Sequence, residues 1–381
     1  MINEDYDIQY SHFMSQGFGW ANYFQIYLEQ HGIEAYEIVL NSEPLQRAWA
    51  KKHKVNCDGD LLMNQLRIIK PDVIMVHDFN ALLPSQIQMI RKELPGLKQI
   101  IGYCCSSFSL ANMEFFKLYD YVLTCSPLFS SILERKGIKC YLFPHAFEST
   151  LIDKINQPNN FPPTDFLFIG SLMQGNDLHN LRINVLERLI NEGIDPTIYS
   201  NLKRESNLLL RLRQIDYLIA LTLKKAGLNK IGQNIPLINK ALPLNEMPKK
   251  ARYSQKLIDH INNTQLFGLE MLQALSKAKI AFNIHGGIAG DFAANIRMFE
   301  VTGAGSLLLT DYKKNIRDLF EPDIEIVTYR NASECIEKTK WLLANPEKIK
   351  EIAAAGQKRC MKDHSIENRV GLLDEIIRKN L

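Results

Sequence analysis

The chain has 381 residues, enough for two or three domains, and its 46% hydrophobic and 23% charged content is that of a globular protein with an ample core. A net charge of +3 with no basic block argues against nucleic acid as a partner. No run approaches the ~18 uncharged apolar residues of a spanning helix, and the polar, acidic start MINEDYDIQYSHFM lacks the features of a secretion signal.

The first half alternates apolar runs of strand length, at 34–40, 72–77, 98–104, 120–125 and 139–144, with helical patterns over 59–70, 81–94 and 127–138. Asp58 and Asp60 open the first of these helices. Carboxylates suit the positive end of a helix dipole, so the pair reads as a cap and no metal is expected. The third helix has Pro127 in its first turn and stops at Lys136-Gly137. Strands that alternate with helices imply parallel strands joined by crossovers. Pro158, Pro162 and Pro163 break the pattern, and 151–164 reads as a linker between a unit 1–150 and a unit 165–365. Seven cysteines, with one adjacent pair and no C-x-x-C, argue against disulfides or zinc and point to a reducing cytoplasm.

The alternation restarts with strands at 165–170, 196–200, 279–284, 305–310 and 324–329. Helices are expected at 180–193, 268–278, 292–302, 331–345 and 346–360, and a last helix over 366–380 completes the first unit. An insertion over about 203–265 interrupts the second unit. Its helix 205–228 carries Leu208, Leu212, Ile215, Ile219 and Leu223 on one stripe. Packing on its own domain is the plainest reading. The stripe would also serve a homodimer contact, or, with Arg211, Arg213, Lys224 and Lys225 beside it, a membrane surface.

NIHGGIAG (283–290) runs from a strand end through Gly286, Gly287 and Gly290 towards the helix at Phe292, which Asp291 is placed to cap. Strand, glycine loop and helix start together suit a phosphate, although the loop is neither G-x-x-x-x-G-K-S/T nor G-x-G-x-x-G. On that helix Phe292, Ile296 and Phe299 share one face, and Ala293, Arg297, Glu300 and Ala304 another. Spacing alone leaves Arg297 and Glu300 either an ordinary surface pair or part of a ligand site.

The last hundred residues resemble a known family. N-x-R-x-x-E-x-x-G-x-G from Asn295, an apolar strand ending in Thr310-Asp311, the Leu-Phe-Glu-Pro turn at 319–322 and A-x-A-G-Q-x-R at 353–359 resemble the carboxyl-terminal domain of group 1 glycosyltransferases, and more narrowly the spore-maturation-protein branch common in bacterial surface-polysaccharide synthesis. The first half is similar more loosely, through FGWANYFQIYLEQHG and KPDVIMVHDFN. The resemblance implies an α/β GT-B fold, two facing Rossmann-like domains with parallel sheets and a nucleotide-sugar donor in the cleft. It implies a retaining, metal-independent transfer to a glycan or lipid-linked acceptor, with no cofactor beyond the donor. It places the donor ribose on Glu300, with Asn295, Arg297 and His285 beside it and Gly170-Ser171 under the phosphates, and the Gly17–Gly19 loop reaching over them. Arg182 resembles a basic residue that neutralises the leaving diphosphate. His145 stands in a Pro-Asn-Gly-like hinge motif, and Asp78 ends a strand where an acceptor base belongs. Many relatives carry a further glutamate where this chain has Phe292, and a strand ahead of the glycine loop that residues 1–14 barely supply. Two alternatives stay open, a nucleotide-sugar epimerase and a non-catalytic nucleotide-sugar-binding module.

Overall fold

The computed structural model describes residues 2–109, 113–172, 177–202, 206–244, 246–248, 253–285 and 287–381. Two parallel sheets organise it. The smaller holds β1 (Val73–Val76), β2 (Gln99–Cys104), β3 (Tyr121–Thr124) and β4 (Cys140–Leu142), in that spatial order. Every residue of β2 and β3 is buried, as expected for inner parallel strands covered on both faces. The larger sheet holds β5 (Thr164–Ile169), β6 (Thr197–Tyr199), β7 (Ile261–Asn262), β8 (Ala278–Asn283), β9 (Leu307–Asp311) and β10 (Val327–Tyr329), in the order β10-β9-β8-β5-β6-β7. The chain builds outward from β5 to β7, then returns to lay β8 on the other side of β5. The order therefore reverses between β5 and β8, and open α/β sheets bind ligands at the carboxyl ends of such a pair.

The helix Ile366–Asn380 returns to the first sheet. Its Ile366, Val370, Leu373 and Ile376 are buried in the core that also holds Ile100 and Val122. Gln99 Nε2 donates to the Ile377 carbonyl at 3.1 Å, and Tyr141 donates to Asn380 Oδ1 at 3.2 Å. Arg369, only 8% exposed, donates Nε to the Pro144 carbonyl at 2.9 Å, fastening this helix to the segment that joins the two sheets.

Five local expectations need correction. The run 34–40 forms no ladder among the described residues; Tyr36 and Leu40 are exposed, so it lacks the two buried faces of an inner parallel strand. Ahead of the glycine loop stands a helix, Tyr6–Ser15, capped by Asp5 through Ile8 N–H at 3.0 Å. The linker contains a short helix, Leu151–Ile155, with both ends buried. The helix expected from Phe292 spans only Arg297–Gly303. Asn315 explains the delay: its Oδ1 takes Ala293 N–H at 2.7 Å and its Nδ2 donates to the Ala293 carbonyl at 3.0 Å, so neither group is free for a helical bond. Asp291 pairs with Lys314 at 2.8 Å instead of capping. Asp60, by contrast, caps Leu61–Ile69 as expected, accepting from Met63 N–H at 3.0 Å.

The glycines that close the N-x-R-x-x-E-x-x-G-x-G motif serve packing and turning. A Cβ on Gly303 would sit 2.3 Å from the Phe147 ring, and Gly305 has φ +85°. Gly303→Ala is expected to destabilise the fold by about 1–3 kcal/mol through overpacking, read as a lower urea midpoint with an unchanged slope.

Candidate active site

At the carboxyl end of β5 the chain turns through Gly170 and Ser171; at the end of β8 it runs through Ile284 and His285. Arg182, on the helix Asp177–Asn191, spans the two. Its Nη1 donates to the Ser171 carbonyl at 3.4 Å and its Nη2 to the Ile284 carbonyl at 3.2 Å, while Nε is buried with no partner. Burial first, and then the neighbouring Arg297, pull the Arg182 pKa down. The two guanidinium groups thus oppose each other's charge, an opposition that an anion relieves.

His285 faces inward, with its side chain 1% exposed. Its Nδ1 lies 2.9 Å from Asp311 Oδ1 and its Nε2 2.9 Å from Met298 Sδ. The Asp311 carboxyl is held below the usual range by its hydrogen bonds to His285 and by Lys313, against the opposing and largest effect of burial. Lys313 sits 3.2 Å from Asp311 Oδ2 and donates to the Gly290 carbonyl at 3.1 Å, which draws a second cation to the glycine loop. Asn295 is likewise internal: its Nδ2 donates to Asn283 Oδ1 at 2.8 Å, tying the loop to β8. Both His285 and Asn295, two of the residues expected at the donor, are thus held by protein partners. Gly286 lies outside the described residues, and Gly287 starts a single 3₁₀ turn that ends at Ala289.

Arg297 and Glu300 open on a different space. A cavity of about 730 Å³, partly open to solvent, is lined by both, by Gly17, Phe18 and Gly19 from the first unit, and by Glu148, Phe267 and Met271. Gly17 and Gly19 have φ of +60° and +62°, and Gly19 has nothing within 4 Å of where a Cβ would be, so the loop leaves room against its backbone. The loop is tied across the cleft: Leu269 N–H donates to the Gln16 carbonyl at 2.8 Å, and a Cβ on Gly268 would meet that oxygen at 2.3 Å. Arg297 Nη1 lies 3.1 Å from Glu300 Oε2 and also donates to Met271 Sδ. The ion pair is poorly aligned, and Glu300 Oε2 is left buried without a hydrogen bond. Burial raises the Glu300 pKa, with Arg297 opposing. A buried carboxylate oxygen lacking a donor, at the wall of a cavity, is a place for a hydroxyl.

The remaining expected residues lie apart. His145 lines a neighbouring cavity of about 360 Å³ with Cys125, Ala293, Phe299 and Leu319, not the one that holds Glu300. Its Nδ1 is 3.3 Å from the Tyr103 hydroxyl, and burial, helped by Arg369, lowers its pKa to about 4. It is neutral near pH 7, so it cannot supply a cation there. Asp78 ends β1 at the expected edge, but its Oδ1 accepts from Asn80 N–H at 3.0 Å and caps its own turn, outside both cavities. Glu148 and Lys313 were missed. Glu148 ends the FPHAFE hinge run, in which only His145 was singled out, and Lys313 lies in none of the motifs; burial and partners mark both. No group of three or more potential metal-binding side chains lies together among the described residues.

Residues 223–375 match a family described as glycosyl transferase-like, a span that contains Arg297, Glu300 and Asp311 but not Arg182 or the first unit. No curated protein matches the chain by sequence. Among solved structures, sucrose-phosphate synthase from Thermosynechococcus elongatus is similar with a TM-score of 0.52 at 11% identity, over 91% of this chain and 80% of its own. Anabaena HepE in complex with UDP-glucose is similar with a TM-score of 0.51 at 13% identity, over 94% of this chain and 89% of its own. An α-glucosyltransferase in complex with UDP-glucose and DNA containing an abasic site reaches 0.51 at 11% identity, over 83% of each chain. At these identities the likeness is one of fold.

Proposed function

We propose that this chain, a glycosyltransferase of GT-B fold by its family match and its architecture, takes its sugar from a UDP-linked donor held in the cleft between Glu300 and the Gly17–Gly19 loop. The observation that carries the reading is the buried Oε2 of Glu300 at the cavity wall, which has Arg297 at 3.1 Å as an ion-pair partner but no hydrogen bond. A carboxylate accepts the vicinal hydroxyls of a ribose, and the cations suit the diphosphate attached to it. UDP is favoured among nucleotides because HepE and the α-glucosyltransferase are seen with UDP-glucose.

In the reaction the bond from the anomeric carbon to the diphosphate oxygen breaks, the acceptor hydroxyl oxygen bonds to that carbon, and the hydroxyl proton passes to the leaving diphosphate. Negative charge grows on the leaving oxygen. We assign Arg182 and Arg297 to meet it and expect the transfer to need no metal ion or cofactor. Retention of configuration and a role in bacterial surface polysaccharide, on a glycan or lipid-linked acceptor, rest on the motifs shared with spore-maturation-protein-like enzymes. A cytoplasmic location rests on the seven cysteines with no C-x-x-C. The units 1–150 and 165–365, joined by 151–164, would close on the donor and exclude water. A panel of nucleotide sugars tests the reading. Slow, chelator-insensitive release of UDP supports it. A changed sugar with no acceptor present would mean an epimerase, and binding without turnover a non-catalytic module.

No helix among the described residues is long and apolar enough to cross a membrane. The stripe on Asn207–Lys225 packs only towards its end, where Leu223 lies against Ala220 and Ile238; Leu208 is 70% exposed, and Leu212, Ile215 and Ile219 are exposed with it. Arg211, Lys224, Lys225, Lys230 and Lys240 stand exposed on the same insertion. We propose that this face lies on an anionic lipid surface, which would bring the cleft to a lipid-linked acceptor. Sedimentation with anionic but not neutral vesicles, lost in Leu212→Glu/Ile215→Glu and weakened by salt, is the expected result. Failure to sediment, with a dimer in light scattering, would assign the face to a second copy.

A further inference from the structure

We propose that Glu148 is a second hydroxyl acceptor of the cleft and that it holds the sugar of the donor, not its nucleotide. The inference rests on the reading of the cleft as a nucleotide-sugar site. Glu148 is 3% exposed and follows Phe147 in the segment that joins the two sheets. One of its oxygens is saturated: Oε1 accepts from the Tyr27 hydroxyl at 2.9 Å, from Thr150 N–H at 2.9 Å and from the Thr150 hydroxyl at 2.7 Å. The other, Oε2, is buried with no partner. A carboxylate fixed through one oxygen, with its second oxygen left bare, is costly in an apolar interior unless a donor arrives.

Glu148 lines the same cavity as Glu300, on the wall formed with Gly17, Phe147 and Leu151. Glu148 is held by Tyr27 and Thr150, and Glu300 by Arg297, so each carboxylate has its own neighbours on the cavity wall. Glu300 lies beside Arg297 and takes the ribose next to the diphosphate; Glu148 is left for the sugar beyond it. The apolar rings of Phe18 and Phe267, 5.9 Å apart, border the same space and suit the CH face of a pyranose.

Calorimetry with UDP and with the UDP-sugar that the wild type prefers tests this. Glu148→Gln keeps a carbonyl oxygen for Tyr27 and Thr150 and replaces the bare acceptor with an amide donor. UDP affinity is expected to stay within twofold, while UDP-sugar affinity falls at least tenfold, the effect of losing a hydrogen bond to a charged group. Donors lacking one hydroxyl at a time provide a second measurement. One deoxy position should cost the wild type about as much as Glu148→Gln does, and should cost the variant nothing further. Equal weakening of UDP and UDP-sugar would assign Glu148 a structural role. An unchanged donor affinity with a raised KM for acceptor would move it to the acceptor side. Either result overturns the inference alone, as does a wild type indifferent to every deoxy donor. A wild type that binds no nucleotide overturns the reading of the cleft as well.

Discussion

Glu300→Gln is expected to raise the Kd for UDP about 10- to 100-fold while leaving the unfolding midpoint nearly unchanged. The side chain is 15% exposed, and its Oε2 makes no aligned hydrogen bond, so little of the fold depends on that oxygen. Glutamine has the same shape but offers one acceptor and turns two donors towards the ribose. Losing one hydrogen bond between a hydroxyl and a charged acceptor costs about 1.5–3 kcal/mol, which is the stated range in affinity. Burial raises the Glu300 pKa, so its carboxylate protonates at a higher pH than an ordinary glutamate. Binding needs the ionised form. Affinity for a UDP-sugar, whose diphosphate does not titrate in this range, should accordingly be full near pH 7 and fall as pH drops through the raised pKa, and the variant should lose that dependence. Wild-type affinity in the variant would refute the ribose assignment.

Arg182→Gln is expected to lower kcat about 10²- to 10³-fold with a smaller change in KM, the loss seen when one preorganised donor to a developing oxyanion is removed. Arg182 is suited to the work because its charge is already desolvated and opposed by Arg297, so an incoming negative charge relieves both. Its two bonds to the Ser171 and Ile284 carbonyls aim it and cost no reorganisation during the reaction. Arg182→Lys keeps the charge but loses this fork, and should recover only part of the rate. Single-turnover measurements, with urea unfolding as the control for stability, separate the two roles. A glutamine variant within threefold of the wild-type kcat would assign Arg182 to structure alone.

The alternation of strand and helix was legible because parallel strands carry unbroken apolar runs: 72–77, 98–104, 120–125, 165–170 and 305–310 all became strands. Where the reading failed, a side chain distant in sequence had taken over. Asn315 holds Ala293 out of the helix expected from Phe292, and no local pattern announces a bond across twenty residues. The apolar stripe on 207–225 was visible, but amphipathicity does not say what covers the apolar side. Glu300 was legible through its motif. Glu148 was not, because a carboxylate beside a proline-bearing hinge looks like any other until its partners are counted. His285 and Asn295 sit where strand ends and loops predict, yet their side chains turn inward to Asp311 and Asn283, a choice of rotamer that sequence does not encode.

The strand order also bears on how the molecule reaches its native state. β5 pairs with β8 across more than a hundred residues of intervening chain, while β1 to β4 each pair with their next neighbour in sequence. Non-local pairing of this kind slows folding, because chain entropy is lost before contacts repay it. The loss grows only with the logarithm of the loop, by about 0.6 kcal/mol per doubling, so the inserted helices between β6 and β7 burden stability little. The smaller sheet is thus expected to form first, and the strand ends bridged by Arg182 among the last parts. Hydrogen exchange during refolding would then show late protection at Gly170 and His285, and binding competence would appear only with it.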